Sequence, residues 1–581
     1  MFLKRSWLSI LGLLLLVVVI AAGCSGGGGG TTPPQQTPHT LSGIAAAGAP
    51  IVGIVNVKGA NGATASSNID STGHFSLDVT NLTANYILFA EGRVNGKTIR
   101  IYSAAVAEGN INITPITDLI VANALGAVPD ATLMQNWNGT QVTATGLDSA
   151  KATVQTAIAP LLAATGATAT DPLTGSFKAD GTGLDQALDF LNVSYTGSTA
   201  TITNLATGNT CTNDVSANSS TALPSGDATA TQSMNDLAGI NAFWGKIETL
   251  WATSVPTQAA INSQLAPYIA PDVLNDGADK TAMLNDLITN SADMIGLKIA
   301  ATIKEPMDVT STPYVKGYWI YTTDSDGYTD LQSMVFDGTN WLWYGSRRWL
   351  NIDTEAFALM TVPATGSPTF QSGLRFWLED QLDYAYNQGV RSAIVTGPGL
   401  PANGLKMELA FPETILKIYQ FVPPSDGSDY FMSDAVIATI PDNSEYTFRF
   451  YTADVAIVTL SDTPVHTFTQ IFAKAPEQVA NLSAANFPTI TSPTAHNLSL
   501  VHIPGTLTVS WTKPANEWVN WVWLGWGDSS SWQGIGNNNL SKVTSTTLDM
   551  TTFSSMTPTA AAIWMESYDN YQRMFAVNWQ F

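Results

Sequence analysis

The sequence predicts a multidomain, mainly β protein: β-sandwiches toward both ends, a helical insert, and a cone-like α+β domain at the centre. Three observations carry that prediction. The 581 residues exceed what one hydrophobic core organises and imply roughly three to five domains. Short runs with apolar residues at alternate positions, punctuated by Gly, Pro and Asn, dominate residues 41–113 and 357–581. Between them, apolar residues recur at helical spacing.

Composition then excludes some functions. Charged residues are 12% of the chain, about half the usual share, and Thr, Ser, Asn, Ala and Gly fill the gap. The formal charge is −22, with no basic run. Nucleic-acid binding depends on Lys and Arg displacing counterions, so that partner class is excluded. Anionic headgroups repel such a surface too, so membrane attachment must come through an anchor.

The amino terminus supplies one. Lys4 and Arg5 precede an apolar run from Trp7 to Ala22, which finishes on Ala21, Ala22 and Gly23 before Cys24. The run is an export signal, too short and wrongly flanked for a stable membrane span. With the cysteine directly after the small residues, it resembles a bacterial lipoprotein leader, with Ala21 where that family usually has Leu. The resemblance implies that Cys24 is acylated, that residues 1–23 are removed, and that the protein sits at the outer membrane, on its periplasmic or extracellular face. Ser25 agrees, since Asp at that position commonly retains such proteins at the inner membrane. Residues 25–40, with five consecutive Gly and then Thr, Pro and Gln, form a flexible tether. Acylation of Cys24 leaves Cys211 without a disulfide partner, an incidental thiol in a polar loop.

In residues 41–113, the runs Ile51–Val57, Phe75–Val79 and Tyr86–Phe89 alternate with turn clusters at Gly59–Gly62 and Asp70–Gly73. The stretch from Leu41 through Pro50 and Ile51 to Asp70, Gly73 and Phe75 resembles the carboxypeptidase regulatory-like, or transthyretin-like, sandwich. That resemblance implies a spacer or binding module without catalysis. Residues 114–206 form the helical insert: Ile116, Leu119 and Ile120, then Val154, Ile158 and Leu161 after a helix start at Asp148, then Leu184 to Leu191. Residues 207–232 are a Thr/Ser-rich linker.

In residues 233–356, Leu237, Ile240, Trp244, Ile247 and Trp251 share one helix face, and aromatic strands follow at Tyr318–Tyr321, Leu331–Phe336 and Trp341–Trp349. Helices followed by an aromatic sheet turning at Asp337–Gly338 resemble a nuclear transport factor two-like cone, which implies a pocket at its open end. Residues 357–475 and 476–581 read as two sandwiches. Leu507, Val509 and Trp511 before Pro514 resemble an early core strand of a fibronectin type III-like domain. The alternation from Tyr571 to Phe581 resembles the closing strand of an outer-membrane barrel, but a last sandwich strand explains it without a series of amphipathic strands.

Three constellations could carry chemistry. The central domain has no histidine, so a His–Asp dyad is excluded there, and Asp272 or Asp293 alone would need burial to act as a base. Asp324, Asp326 and Asp330 around Gly327 place carboxylates at alternating positions before a glycine, a candidate Ca²⁺ site whose alternative is hairpin-turn geometry. Trp518, Trp521, Trp523, Trp526 and Trp532 form the candidate ligand-binding cluster. Alternation puts Trp521 and Trp523 on one strand face and Trp518 and Trp526 nearer the other; an exposed face could stack on sugars or form a protein interface. Nothing marks Glu379, Asp380 and Asp383 as a glycosidase pair rather than a solvated patch, and no catalytic motif is present.

The expected function is that of a non-enzymatic, lipid-anchored envelope binding or scaffold protein, contacting glycans or proteins through its aromatic β-domains and needing no cofactor beyond Ca²⁺ at that loop. The alternative is a small-ligand binder or hydrolase using the central pocket.

Overall fold

The computed structural model describes residues 39–581, except 206, 225–227, 290, 292–293, 310–312, 325–327, 411–416, 422–428, 516, 528–531, 539 and 542, and without side chains at 228–233, 409–410, 417–421 and 532. The protein is multidomain and mainly β, with an α+β centre. Among the described residues, no helix is long and apolar enough to cross a membrane.

Two small sheets form the amino-terminal unit. Strand Thr40–Ile44 lies between His74–Asp78 and Gly109–Asn110, and the second sheet runs Thr64–Asn68, Val52–Lys58, Tyr86–Val94, Lys97–Ala105. Alternate residues Leu41, Val55, Phe75 and Leu88 meet in the core between them. Asp70 accepts the amides of Thr72 and His74, and Gly73 at φ +82° completes the turn that feeds Phe75 inward.

Capping explains the insert. Helix Pro115–Leu125 begins with a capping box between Thr114 and Thr117 and stops at Gly126, which is left-handed. The next long helix spans Ala144–Ala157, so it starts before the Asp148 signal. Thr143 caps it by accepting the Gly146 amide at 3.1 Å. Residues 207–232, expected as a linker, carry strands Thr210–Asp214 and Ser219–Ser220, which extend a sheet with Thr199–Asn204 and Leu191–Thr196. Cys211 therefore sits on a strand, not in a loop. It is buried beside Ala157, and burial pushes its thiol up to about 11, which disfavours the nucleophilic thiolate at neutral pH.

The central unit packs helix Ala228–Leu250 on a sheet ordered Ile299–Met307, Lys316–Asp324, Thr329–Phe336, Trp341–Gly345. The stripe Leu237, Ile240, Trp244, Ile247 and Trp251 is buried throughout, with Trp244 edge-on to Trp343 at 5.5 Å. The Asp337–Gly338 turn is tied by Asp337 accepting the amides of Thr339 and Asn340. Arg348 locks this unit: its guanidinium pairs with Asp276 and lies 3.3 Å from the carboxylate of Asp330, all three buried.

Residues 357–475 and 476–581, expected as two separate sandwiches, contribute to one twelve-stranded sheet. Its order is His466–Phe472, Ser444–Tyr451, Ser392–Thr396, Leu405–Ala410, Lys417–Phe421, Thr369–Asp380, Asn351–Val362, Met574–Gln580, Ala560–Asp569, Glu517–Gly527, Trp532–Asn538, with Asp429–Phe431 also paired to Thr369–Asp380. The carboxy-terminal strand pairs in parallel with Asn351–Val362, and every other pairing in this sheet is antiparallel. At one end the sheet curls over itself, packing Phe376 against Tyr446 and Phe448 at 5.8 and 5.7 Å. At the other end it is backed by the three-stranded sheet of Thr489–Ser492, Thr506–Thr512 and Ser545–Asp549, with Val509, Trp511 and Leu548 against Val522, Leu524 and Ile563.

Arg348→Ala would remove the guanidinium that Asp276 and Asp330 share in this buried site. It should lower the stability of the central unit by about 3 kcal/mol, read as an earlier urea transition in tryptophan fluorescence.

Candidate functional site

A cavity of about 1100 Å³ lies between the central unit and the face of the large sheet opposite its two packed cores. One wall is tryptophan. In strand Glu517–Gly527, Val519 pairs with Ser567 while Trp521 pairs with Glu566, so Asn520 is an extra residue in the ladder. Such a bulge reverses the alternation that follows it. Val519 precedes it on the core side, and Val522, Leu524 and Trp526 follow it on that same side. Trp518, Trp521 and Trp523 consequently share the cavity face, each half-buried. This corrects the expectation that Trp518 sides with Trp526.

The rings are held by their neighbours. Trp521 and Trp523 lie 6.4 Å apart, Trp518 stacks on Tyr568 at 6.1 Å, and Trp564 sits directly across the ladder from Trp523. Two glycines on the adjacent edge strand make room for them. A Cβ at Gly534 would lie 2.1 Å from Cζ2 of Trp523, and one at Gly536 would lie 2.6 Å from Nε1 of Trp521.

Charge occupies the floor. Arg375 lies 3.0 Å from Glu566 and 2.9 Å from Asp429, with its guanidinium 5.0 Å above Phe357 and 5.4 Å from Trp564. Burial alone disfavours its charge, but Glu566, Asp429 and Glu355 outweigh it and hold the guanidinium well above its ordinary value. Burial raises the Asp429 carboxyl, opposed by Arg375. Trp564 donates its indole N–H to Glu566 at 2.9 Å. Farther along, Trp377 lies opposite Asp353 and beside Glu379 on the same face. Among the described lining residues there is no His, Cys or Lys.

The structure places the other sequence candidates as follows. Trp526 is in the core, edge-on to Phe553 at 5.1 Å, and takes no part in the cavity. Trp532 opens strand Trp532–Asn538, and its side chain lies outside the described residues, as do Cys24, Asp293 and Asp326. Asp324 and Asp330 line the cavity from the central unit. Burial would raise the Asp330 carboxyl, but Arg348 and the Gln332 amide reverse that and hold it down at about 2. Asp324 accepts the Tyr328 amide at 3.0 Å, which is turn geometry. Among the described residues no group of three or more His, Cys, Asp or Glu is placed to hold a metal ion. Asp272 accepts hydrogen bonds from Tyr314 and Tyr344, away from the cavity.

Sequence reasoning missed Arg375, Trp377, Glu355, Trp564 and Glu566. Their signal was available: Arg375, Trp377 and Glu379 alternate with buried Leu374, Phe376 and Leu378, so a charged and aromatic face lies on a central strand.

No family model matches the chain, and no curated protein matches it significantly. Among solved structures, a tetra-tandem repeat in the extending region of a large adhesion protein is 8% identical, over 94% of this chain and 99% of that one, at a TM-score of 0.13. A score that low carries no argument about fold or function.

Two outcomes follow from this geometry. Gly534→Ala should displace the Trp523 ring, changing near-ultraviolet circular dichroism while far-ultraviolet signal is retained. Glu517, at the start of the tryptophan strand, is pushed up to about 7 by burial, against the Ser567 hydroxyl that donates to it. The folded state thus holds a proton that the unfolded state has released, so stability falls as pH rises from the ordinary glutamate range through about 7. Glu517→Gln should remove that slope and raise stability in mildly alkaline buffer by roughly 2 kcal/mol, measured by urea titration across pH.

Proposed function

We propose that this is a non-enzymatic glycan-binding protein of the cell envelope, with its ligand in the tryptophan-walled cavity and its anchor a lipid on Cys24. The observation that carries the reading is the row Trp518, Trp521 and Trp523, with Trp564 beside it, on one face of paired strands. Indole faces stack on the C–H faces of sugar rings, and amides and carboxylates around them accept hydroxyl hydrogen bonds. Asn351, Asn520, Asn538 and Gln470 supply such groups around the wall. The volume, at the upper end for ligand pockets, accommodates several sugar units. Arg375 ties up Glu566 and Asp429 in ion pairs, which fits carboxylates used for recognition and support rather than for proton transfer.

A panel of soluble oligosaccharides, titrated against the full chain with tryptophan fluorescence as readout, tests this. At least one should bind, and Trp521→Ala and Trp523→Ala should each weaken it roughly tenfold. Absence of binding across the panel, or unchanged affinity in both variants, would reject the cavity as a glycan site.

A further inference from the structure

We propose that the tryptophan wall is a row of linked subsites for an extended polysaccharide, joined through equatorial bonds at opposite ends of each sugar ring, and not a pocket for one or two sugars; this rests on the glycan reading above. The ladder between strands Glu517–Gly527 and Ala560–Asp569 sets Trp518 opposite Tyr568, Trp521 opposite Glu566 and Trp523 opposite Trp564, all lining the cavity. Of these positions only Glu566 lacks an aromatic ring. The resulting strip is elongated. From Tyr568 to Trp564 it runs about 14 Å along the strand at ~3.4 Å per residue, whereas across it is two strands wide, about 5 Å between their axes. The bulge at Asn520 supplies its third indole, because without that extra residue Trp518 would face the core.

The shape of the strip chooses the chemistry of its ligand. Stacking needs a sugar face made of C–H bonds, which a pyranose presents when its hydroxyls and linkages lie equatorial. An axial hydroxyl would stand between the sugar and the indole. Equatorial bonds at opposite ends of the ring also keep a chain straight, so consecutive units meet Trp518, Trp521 and Trp523 in turn. Axial linkages bend the chain and lift its next unit off the row. Once one unit is seated, each following unit binds as an intramolecular event, at an effective concentration set by the chain itself. The indoles are fixed beforehand: Trp523 and Trp521 fill the spaces that Gly534 and Gly536 leave open, and Trp518 stacks on Tyr568 at 6.1 Å. Little side-chain entropy is therefore lost on binding.

The test titrates the full chain by calorimetry with cello- and N-acetylchito-oligosaccharides of roughly two to six units, and with the malto series as the axially linked control. In at least one equatorial series the longest member should bind ~10-fold or more tighter than the dimer, with the gain levelling off at about four units. Malto-oligosaccharides of equal length should bind ~10-fold more weakly. Trp518→Ala removes one end of the strip and should cut the ratio of longest member to dimer roughly fivefold. Trp518→Phe, which keeps a ring there, should recover most of it. Equal affinity for dimer and longest member, a ratio unchanged in Trp518→Ala, or equally tight binding of the malto series would overturn the row of subsites while leaving a glycan site standing. Binding of none of the three series also overturns the inference, and the wider oligosaccharide panel then decides whether the glycan reading falls with it.

Discussion

The parallel pairing of Met574–Gln580 with Asn351–Val362 is the constraint on which the site depends. Its register runs from Phe357 opposite Met574 to Val362 opposite Trp579. These segments are far apart in the chain, so closing the pair costs loop entropy that only later burial repays. Once closed, it sets the tryptophan strands beside the strand that carries Arg375. Arg375 then reaches Glu566, and Trp564 lies 6.4 Å from Phe357. Without that ladder the cavity would have a tryptophan wall and no floor.

A second constraint positions the opposite wall. Arg93, on strand Tyr86–Val94 of the amino-terminal unit, is buried and donates to the Asn570 carbonyl at 2.9 Å and to the Thr329 hydroxyl at 3.1 Å. Burial pulls its guanidinium down to about 10, against the carboxylates of Asp569 and Asp324. One side chain thus joins the first unit, the central sheet and the carboxy-terminal hairpin. It also gives Asp324 a structural role: that carboxylate faces a buried guanidinium and accepts the Tyr328 amide.

Much of the local structure was legible. The stripe from Leu237 to Trp251 is a single-face helical pattern, and it is buried as such, because helical periodicity depends only on spacing along the chain. The Asp337–Gly338 turn was readable for the same reason, since Asp side chains bond amides two and three residues ahead. Residues 207–232 misled, because Thr-rich segments suit both linkers and polar strands, and only a neighbouring edge at Thr199–Asn204 decides between them. The helix start at Thr143 was missed in favour of Asp148 because both are good caps, and packing chose the longer helix.

By itself the sequence determined that the chain is mainly β, where its helices carry apolar stripes, and that tryptophans gather near residue 521. Only the tertiary structure decided which of those tryptophans meet a cavity. The bulge at Asn520 turns Trp518 to join Trp521 and Trp523, while Trp526 stays in the core. It likewise decided that Asp330 from the central unit and Arg375 from the large sheet line the same space. The reason is physical: periodicity and turn chemistry act over a few residues, whereas register, bulges and buried ion pairs are settled by whichever distant strands come together.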